Sequence, residues 1–229
     1  MKLPGALFLA SMLVSGTCWA VSLSSFDDFQ SANTDWQNGV GPGIVSLGGG
    51  PAGPDDYFLQ VPSYARGGVS SRLVIFNQGE WSGDYIGAGI TQIEMDLANF
   101  GATDLAMRLA FTLETARIGY VSLEPMSLPA DAVWRHFVFP IDASAFVPIG
   151  TTDTFVEALS NVTQFRILSQ DGGSPTSTRG DAIEASLGVD NVAALTAVVP
   201  EPSTAWIGIC VVALAAGFAR PRRAESVCG

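Results

Sequence analysis

The sequence predicts an all-β protein built as a sandwich of two antiparallel sheets. Apolar and polar residues alternate along 92–97 and again along 105–114, which is the period-two pattern of two long strands with one buried face. Stretches rich in Gly, Pro and Asp at 39–54, 77–83 and 171–181 separate the apolar segments, as turns separate the strands of a sandwich. Together these observations favour many short strands within one domain.

The remaining elements follow from the same patterns. Residues 99–103 contain a glycine and have the length of a hairpin connection between the two long strands. Helical periodicity occurs at 153–162, where Phe155, Val156 and Leu159 share a face, so we expect one short helix there. Further strands are expected at 57–61, 72–76, 118–123, 133–139, 164–169 and 185–195.

The N-terminus has the order of a secretory signal peptide over residues 1–20. Lys2 supplies a positive charge, residues 3–14 are mostly apolar, and Cys18 and Ala20 are small residues before a cleavage point after Ala20. A retained helical anchor needs about 20 apolar residues, and this run is shorter. Lipidation at Cys18 is disfavoured because Thr17 stands where such signals prefer Gly, Ala or Ser. We therefore expect the general secretion machinery and signal peptidase as partners.

The C-terminus, residues 197–229, carries three features in a fixed order. The triplet Pro200-Glu201-Pro202 is followed by 15 apolar residues at 205–219 and then by the basic cluster Arg220, Arg222 and Arg223. As a helix the apolar run spans about 22 Å, and arginines directly after it favour a cytoplasmic end. The pattern predicts a short transmembrane helix that anchors the protein in the membrane before processing.

This arrangement resembles the PEP-CTERM sorting signal of Gram-negative bacterial envelope proteins. The resemblance implies an exosortase as partner, cleavage at the Pro-Glu-Pro triplet, and passage from a transient inner-membrane anchor to the cell surface or the extracellular matrix. An ordinary tail anchor explains the apolar run and the arginines but does not explain the triplet.

Setting both ends aside leaves a β-sandwich ectodomain, residues 21–196, that is more acidic than the whole chain. Residues 21–199 contain seven Arg, no Lys and 20 acidic residues, which gives a formal charge of −13. That charge disfavours nucleic acid as a partner. All three cysteines, Cys18, Cys210 and Cys228, lie outside this stretch, so no disulfide is expected in it. The carboxylate excess favours divalent cations as partners.

Four short segments of the ectodomain carry a further pattern, at 26–29, 53–61, 134–140 and 188–192. Together they resemble the galactose-binding-like jelly rolls found among carbohydrate-binding modules. The resemblance implies a jelly-roll sandwich in which Asp27 or Asp28, near its start, shares a structural Ca²⁺ with Asp190 in the last strand. Calcium prefers six to eight oxygen ligands. Without a metal, Asp27 and Asp28 would cap a turn and Asp190 would mark a bulge.

A platform for a sugar ligand needs aromatic side chains off the core face. Along 133–139, Phe137 and Phe139 share one face, which leaves Trp134 and His136 on the other. Trp81 and Tyr85 lie in a glycine-bearing loop, so we expect them to extend the platform on which sugar rings stack. The expected hydrogen-bonding partners are Glu94, Asp96, Arg108 and Arg166. The alternative is that loops cover these aromatic residues.

No catalytic constellation stands out, so the chain is expected not to be an enzyme. His136 is the single histidine, and the ectodomain has neither a Gly-x-Ser-x-Gly elbow nor a cysteine. Three hypotheses remain: a carbohydrate-binding component of an exopolysaccharide or biofilm matrix, a purely structural or adhesive envelope protein with no small ligand, and a secreted polysaccharide hydrolase. Two close carboxylates in one cleft would favour the hydrolase.

Overall fold

A computed structural model describes residues 20–31, 34–39, 44–46, 48–68 and 71–197. The predicted signal peptide up to residue 19 lies outside these residues. So does the sorting signal from residue 198 onward, including the Pro-Glu-Pro triplet and the arginine cluster. The compact unit that contains the ectodomain ends at Thr196. Within the described residues, no helix has the length and apolarity needed to cross a membrane.

The strands form two sheets, and every pairing between neighbours is antiparallel. Sheet A contains β1 (Phe26–Asp27), β3 (Ile44–Ser46), β4 (Phe58–Tyr64), β6 (Gln92–Asn99), β10 (Arg135–Pro140) and β13 (Glu184–Leu195). Sheet B contains β2 (Trp36–Gln37), β5 (Val74–Asn77), β7 (Leu105–Thr112), β8 (Gly119–Ser122), β9 (Met126–Leu128), β11 (Phe146–Ile149) and β12 (Gln164–Ser169). The prediction of an all-β protein with two antiparallel sheets is therefore confirmed.

The order of strands shows how the chain passes between the sheets. Sheet A runs β10-β6-β13-β4-β3, with β1 also paired to β13, and sheet B runs β11-β8-β7-β12-β5-β2, with β9 also paired to β7. Among the described strands, the chain changes sheet at eight connections, including those from β5 to β6, from β6 to β7 and from β12 to β13. Because strands that are consecutive in sequence often lie in opposite sheets, residues distant in sequence become neighbours on each face.

One short helix, α1 (Phe155–Leu159), lies within the predicted stretch 153–162. The Thr154 side chain accepts a hydrogen bond from the Glu157 N–H, and the Glu157 carboxylate accepts one from the Thr154 N–H, which makes a capping box. Phe155 and Leu159 are buried. The cap and the buried face together explain why five residues hold a helical turn in an otherwise β-structured chain.

The core lies between the inner faces of the two sheets. Ile93, Met95 and Leu97 of β6 are fully buried, and so are their alternating counterparts on β7. An aromatic cluster closes one end of the core, with Trp81 stacked on Phe165 at 5.2 Å between ring centroids. The period-two alternation of the sequence therefore determines which side of each long strand faces inward.

The outer faces of the two sheets differ in what covers them. On sheet B, Ala110, Val121 and Leu168 form a second small apolar cluster that is fully buried although it lies outside the main core. On sheet A, His136 and Val138 remain exposed. Sheet A therefore presents an open surface that contains a histidine and an apolar side chain.

Candidate functional site

The candidate site lies on the outer face of sheet A, where β10 runs beside β6. Phe137 and Phe139 point into the core, so His136 points outward. In the register of the two strands, His136 lies opposite Asp96, and Val138 lies opposite Glu94. The structure thus brings together one predicted platform residue and two of the predicted hydrogen-bonding partners.

His136 is bracketed by the two carboxylates. Its Nδ1 atom lies 3.0 Å from Asp96 Oδ1, and its Nε2 atom lies 3.4 Å from Glu94 Oε2, while about half of its side chain (53%) remains exposed. A second side chain holds each carboxylate in place, since Gln92 donates to Glu94 at 2.6 Å and Asn191 donates to Asp96 at 2.8 Å. The result is a small polar network that is fixed in position and open to solvent.

Trp134 precedes β10 and lies over the same face of sheet A. Its indole N–H donates to the Gly49 carbonyl at 2.9 Å, and its ring contacts Phe58 and Phe100 at centroid distances of 5.1 and 5.9 Å. Gly188 on β13 lies beneath it, where a Cβ atom would come within 2.8 Å of Trp134 Cη2. The half-buried ring is therefore held rigidly, and part of its surface still faces solvent.

The same face continues from Phe100 toward the far end of β4. A shallow cavity of about 360 Å³ is lined there by residues that include Tyr64, Gly101, Glu184 and Ser186. The Tyr64 side chain is exposed. Together, His136, Trp134 and Tyr64 define an extended strip, which we call the sheet A strip.

Sequence reasoning missed the partners that hold Trp134. Gly49 lies in a stretch predicted simply as a turn, and Phe58 and Phe100 are distant from Trp134 in sequence. The sequence did contain one signal for Phe58. It alternates with Leu59 along a predicted strand, and because Leu59 belongs to the core, Phe58 is an aromatic residue on the outer face. Contacts formed across the sheet through β13 leave no pattern in the local sequence.

The predicted exposure of Trp81 and Tyr85 is wrong. Both side chains are fully buried in the core. Trp81 donates from its indole N–H to Asp27 Oδ2 at 2.7 Å, and the Tyr85 hydroxyl donates to the Trp81 carbonyl at 2.8 Å. The loop that carries them folds into the end of the sandwich, where their rings add to the aromatic cluster around Phe165. They cannot share a surface platform with Trp134 and His136.

Arg108 and Arg166 are also placed elsewhere than expected. Both are buried, and both lie on the outer face of sheet B rather than on sheet A. The Arg108 guanidinium donates to main-chain carbonyls, and the Arg166 guanidinium donates to the Thr178 carbonyl and to the Gln164 side chain. Glu94 and Asp96 are thus the two predicted hydrogen-bonding partners that reach the sheet A strip.

The three acidic residues predicted as calcium ligands have separate local roles. Asp27 Oδ2 accepts from the indoles of Trp36 and Trp81 at 2.5 and 2.7 Å, so this atom is already committed. Asp28 Oδ1 accepts from the Gln30 N–H at 3.1 Å, which caps a turn. Among the described residues, no group of three or more His, Cys, Asp and Glu side chains is arranged to hold a metal ion. Asp27 therefore does not fit the predicted metal.

Asp190 fits a cation better than Asp27 does. It is fully buried at a bulge of β13, where the register against β6 shifts between Asp190 and Ala193. Its Oδ1 atom accepts from the Asn191 N–H at 2.8 Å, but its Oδ2 atom is buried and has no hydrogen-bond partner in the described part of the chain. Burial raises the pKa of Asp190 to about 7, and the nearby carboxylates of Asp56, Asp96 and Asp28 act in the same direction. A bound cation would give the Oδ2 atom a partner and would offset the burial and the charge repulsion that raise the pKa.

Known structures share the fold of this chain but little of its sequence. No family model matches the chain, and no curated protein matches it. An exo-beta-agarase structure has a TM-score of 0.51 at 13% identity, covering 75% of this chain and 24% of the agarase chain. The family 11 carbohydrate-binding module of a Clostridium thermocellum cellulase gives a TM-score of 0.43 at 16% identity, covering 76% of this chain and 95% of the module.

These likenesses concern the fold. The chain spans about a quarter of the length of the agarase structure, since 24% of that chain is covered. At 13% identity the agarase comparison shows a shared β-sandwich architecture and nothing about the ligand. The class defined here is therefore an all-β sandwich with an open polar and aromatic strip on one sheet.

Proposed function

We propose that the ectodomain is a non-catalytic carbohydrate-binding module that uses the sheet A strip. The observation that carries this proposal is the pair formed by Trp134, fixed over Gly188, and His136, bracketed by Glu94 and Asp96. A sugar presents an apolar C–H face, which suits an aromatic ring, and hydroxyl donors at its edge, which suit carboxylates. The strip offers both kinds of contact on one exposed face.

The ligand class follows from the shape of the strip. It continues from His136 past Trp134 to the shallow cavity beside Tyr64, so it suits an extended polysaccharide better than a single sugar. We also propose that the sandwich is a jelly roll. The fold shared with part of the exo-beta-agarase structure agrees with a polysaccharide ligand. Binding of polysaccharides to the purified ectodomain, with and without Trp134→Ala, tests the proposal.

The absence of catalysis is part of the proposal. Glu94 and Asp96 are the carboxylates that flank His136, and both are engaged by His136 and by a second side chain. Glu184 lines the cavity at the Tyr64 end of the strip. A glycosidase needs one carboxyl group free to protonate the leaving oxygen and another free to attack or to activate water. The strip supports binding and orientation, so activity screens on polysaccharides are expected to be negative.

A second candidate function is a purely structural or adhesive envelope protein. The observation that favours it is the burial of Trp81 and Tyr85, which leaves the strip with fewer aromatic rings than a four-residue platform would have. This alternative predicts that truncating Trp134 changes no interaction with any polysaccharide.

We also propose that the protein is exported and surface-sorted. Residues 1–20 would direct secretion, and the Pro200-Glu201-Pro202 triplet with its apolar run and Arg220, Arg222 and Arg223 would be processed by an exosortase after transient inner-membrane anchoring. Replacing the triplet by three alanines should then leave the C-terminal tail on the protein. Intact mass measurement of the exported protein shows whether the tail is present. If the tail is retained in both the wild type and the variant, or is removed from both, the proposal is contradicted.

A structural Ca²⁺ remains a proposal centred on Asp190. The support for it is the buried Asp190 Oδ2 atom, which has no hydrogen-bond partner among the described residues, in the negative field of Asp28, Asp56 and Asp96. Calcium prefers oxygen donors of this kind, and main-chain carbonyls or water would have to complete its coordination. When bound, the ion would neutralise this buried carboxylate and stabilise the β13 bulge. Asp27 takes no part, because its Oδ2 atom serves two indoles.

A further inference from the structure

The loop between β12 and β13 covers the outer face of sheet B. We call residues 171–181 the strap. Its two ends meet, because the Asp171 N–H donates to Asp181 Oδ2 at 2.7 Å and the Asp181 N–H donates to the Ser169 carbonyl at 2.7 Å. A loop closed at its base in this way is an Ω-loop.

Beneath the strap lies an apolar floor that would otherwise face solvent. Ala110, Val121 and Leu168 are fully buried there, and Val74 and Ile149 pack against them. These side chains belong to the face of sheet B that points away from the main core. The face is therefore a covered surface, comparable in chemistry to the floor of a ligand groove.

Arg108 is the main fastening of the strap. Its Nε atom donates to the Gln170 carbonyl at 3.0 Å, and its Nη2 atom donates to the carbonyls of Gly172 and Gly173 at 2.9 and 2.6 Å. Its Nη1 atom donates to the carbonyls of Ser122, at 2.7 Å, and Leu123. All five N–H groups thus end on main-chain carbonyls, although a guanidinium bonds more strongly to an anion.

Arg166 fastens the other side of the strap. Its Nη1 atom donates to the Thr178 carbonyl at 3.0 Å, and its Nε and Nη2 atoms donate to Gln164 Oε1. Burial lowers the pKa of Arg166 to about 10, and the charge of Arg179 in the strap contributes to this. Among the described residues, no carboxylate lies within ion-pair distance of Arg108 or Arg166.

The positive charge of the ectodomain is concentrated at the strap. Residues 21–199 contain seven arginines and no lysine. Four of the arginines are placed here: Arg72, which donates to the Gly180 carbonyl at 2.7 Å, together with Arg108, Arg166 and Arg179. In a stretch with a formal charge of −13, such a grouping points to an anion as ligand. Asp171 and Asp181 at the base of the strap partly offset these charges.

One polar side chain under the strap lacks a partner for its acceptor atom. Gln170 is 6% exposed, and its Oε1 atom is buried with no hydrogen bond among the described residues. Its Nε2 atom donates to Ser177 in the strap at 3.2 Å. A buried amide oxygen without a donor costs stability, and a ligand hydroxyl would supply the missing hydrogen.

We propose that the strap is a displaceable cover over a second ligand face, and that this face takes an anionic polysaccharide. A carboxylate or sulfate group would replace the carbonyls of Gly172 and Gly173 on Arg108, and a sugar hydroxyl would donate to Gln170. The proposal shares the ligand class of the proposed function, but it uses the outer face of sheet B and none of the sheet A strip.

The first test shortens the strap in the purified protein by joining Asp171 to Asp181 through two glycines. Polygalacturonate and dextran sulfate, as carboxylated and sulfated probes, are expected to bind this variant about tenfold or more tightly than the intact protein. Neutral dextran should show no such gain. Arg108→Gln in the shortened background should abolish the gain. A folded shortened variant that binds both polyanions no better than the intact protein would overturn the proposal.

The second test uses the unaltered protein, so it does not depend on the folding of a variant. Arg179 is exposed, but Gly180 is buried so tightly that a Cβ atom there would lie 1.9 Å from the Leu73 carbonyl oxygen. Trypsin should therefore cut after Arg179 faster when a polyanion displaces the strap, whereas cleavage at the exposed Arg66 serves as control. An unchanged rate at saturating polygalacturonate and dextran sulfate contradicts the proposal. Trp134→Ala should leave this effect intact, which separates it from the sheet A strip.

Discussion

Asp27 accepts a hydrogen bond from the indole N–H of Trp81 at 2.7 Å, between residues 54 positions apart in the chain. The same Oδ2 atom accepts from Trp36 at 2.5 Å. One half-buried carboxylate thus joins β1, β2 and the loop after β5 at the end of the sandwich. Both indoles are almost completely buried, so each N–H depends on this single partner.

Replacing Asp27 by alanine should lower the free energy of unfolding by about 2–4 kcal/mol, because it leaves two buried indole N–H groups without an acceptor. Asp27→Asn keeps one amide oxygen and should cost less. Urea unfolding in the presence of a chelator measures both. Asp28→Ala is the matched control, because the Asp28 carboxylate is adjacent in sequence but exposed, and it only caps a turn. Equal stability of Asp27→Ala and Asp28→Ala would show that the double acceptor is unimportant.

Gly188 is expected to be required for the position of Trp134. A methyl group on Gly188 would come within 2.7 Å of Phe100 and 2.8 Å of Trp134, so Gly188→Ala should displace the indole and weaken polysaccharide binding. The Nε1–H resonance of Trp134 should shift as its bond to Gly49 is lost. Gly173→Ala, where a Cβ atom would meet nothing within 4 Å, should leave the resonance in place. An unmoved resonance in Gly188→Ala contradicts the packing described here.

Asp190 should make stability depend on pH in a defined direction. Its pKa is about 7 in the folded protein and about 3.9 in the unfolded chain, so the folded state holds the proton more tightly. The stability contributed by protonated Asp190 is therefore full below about pH 4 and is lost as pH rises through 7. Asp190→Asn should gain stability relative to the wild type at pH 8, and this gain should shrink at pH 5.

A second carboxylate provides the control of opposite sign for this pH dependence. Hydrogen bonds from Ser144 lower the pKa of Asp142, so its contribution is present at neutral pH and lost in acid. Asp142→Asn should therefore lose stability at pH 8. Denaturant titrations at both pH values, in the presence of chelator, give the comparison. A gain for Asp190→Asn that is equal at pH 5 and pH 8 would contradict the assignment.

Calcium should change these results if Asp190 holds it. Adding Ca²⁺ is expected to raise the Tm of the wild-type protein, since ligand binding to the folded state stabilises it. The Tm of Asp190→Asn should not respond, whereas Asp27→Asn should respond like the wild type because its carboxylate serves the two indoles. Differential scanning calorimetry with Ca²⁺ and with chelator makes the test. A wild-type Tm that is the same in both conditions argues against a structural ion.

The sequence predicted what depends on local pattern. The alternation along β6 and β7 identified both long strands and the face that each turns to the core. On β6 burial repeats every second residue over 92–97, but on β7 Arg108, Ala110 and Thr112 of the other face are buried as well, which the alternation did not predict. The same rule placed His136, Glu94 and Asp96 outward. These residues meet because β10 and β6 are neighbours, which the local pattern did not reveal.

Residues whose environment depends on tertiary contacts were harder to place. Trp81 and Tyr85 lie in a glycine-bearing loop, which usually indicates exposure, but the acceptor on Asp27 and the stacking on Phe165 draw them into the core. Arg108 resembles a surface cation of a half-buried strand. Its burial depends on five carbonyls of residues that lie 14 to 65 positions away, and no spacing in the sequence records them.

The central claim is that the sheet A strip binds carbohydrate. Isothermal titration calorimetry of the ectodomain, residues 21–199, against polysaccharides selected on a glycan array tests it most directly. Wild type and the exposed-helix control Val156→Ala should bind one class of polysaccharide with the same affinity, and Trp134→Ala should bind it about tenfold or more weakly. Equal affinity of Trp134→Ala and wild type for every bound polysaccharide, or no binding by the wild type at all, would contradict the claim.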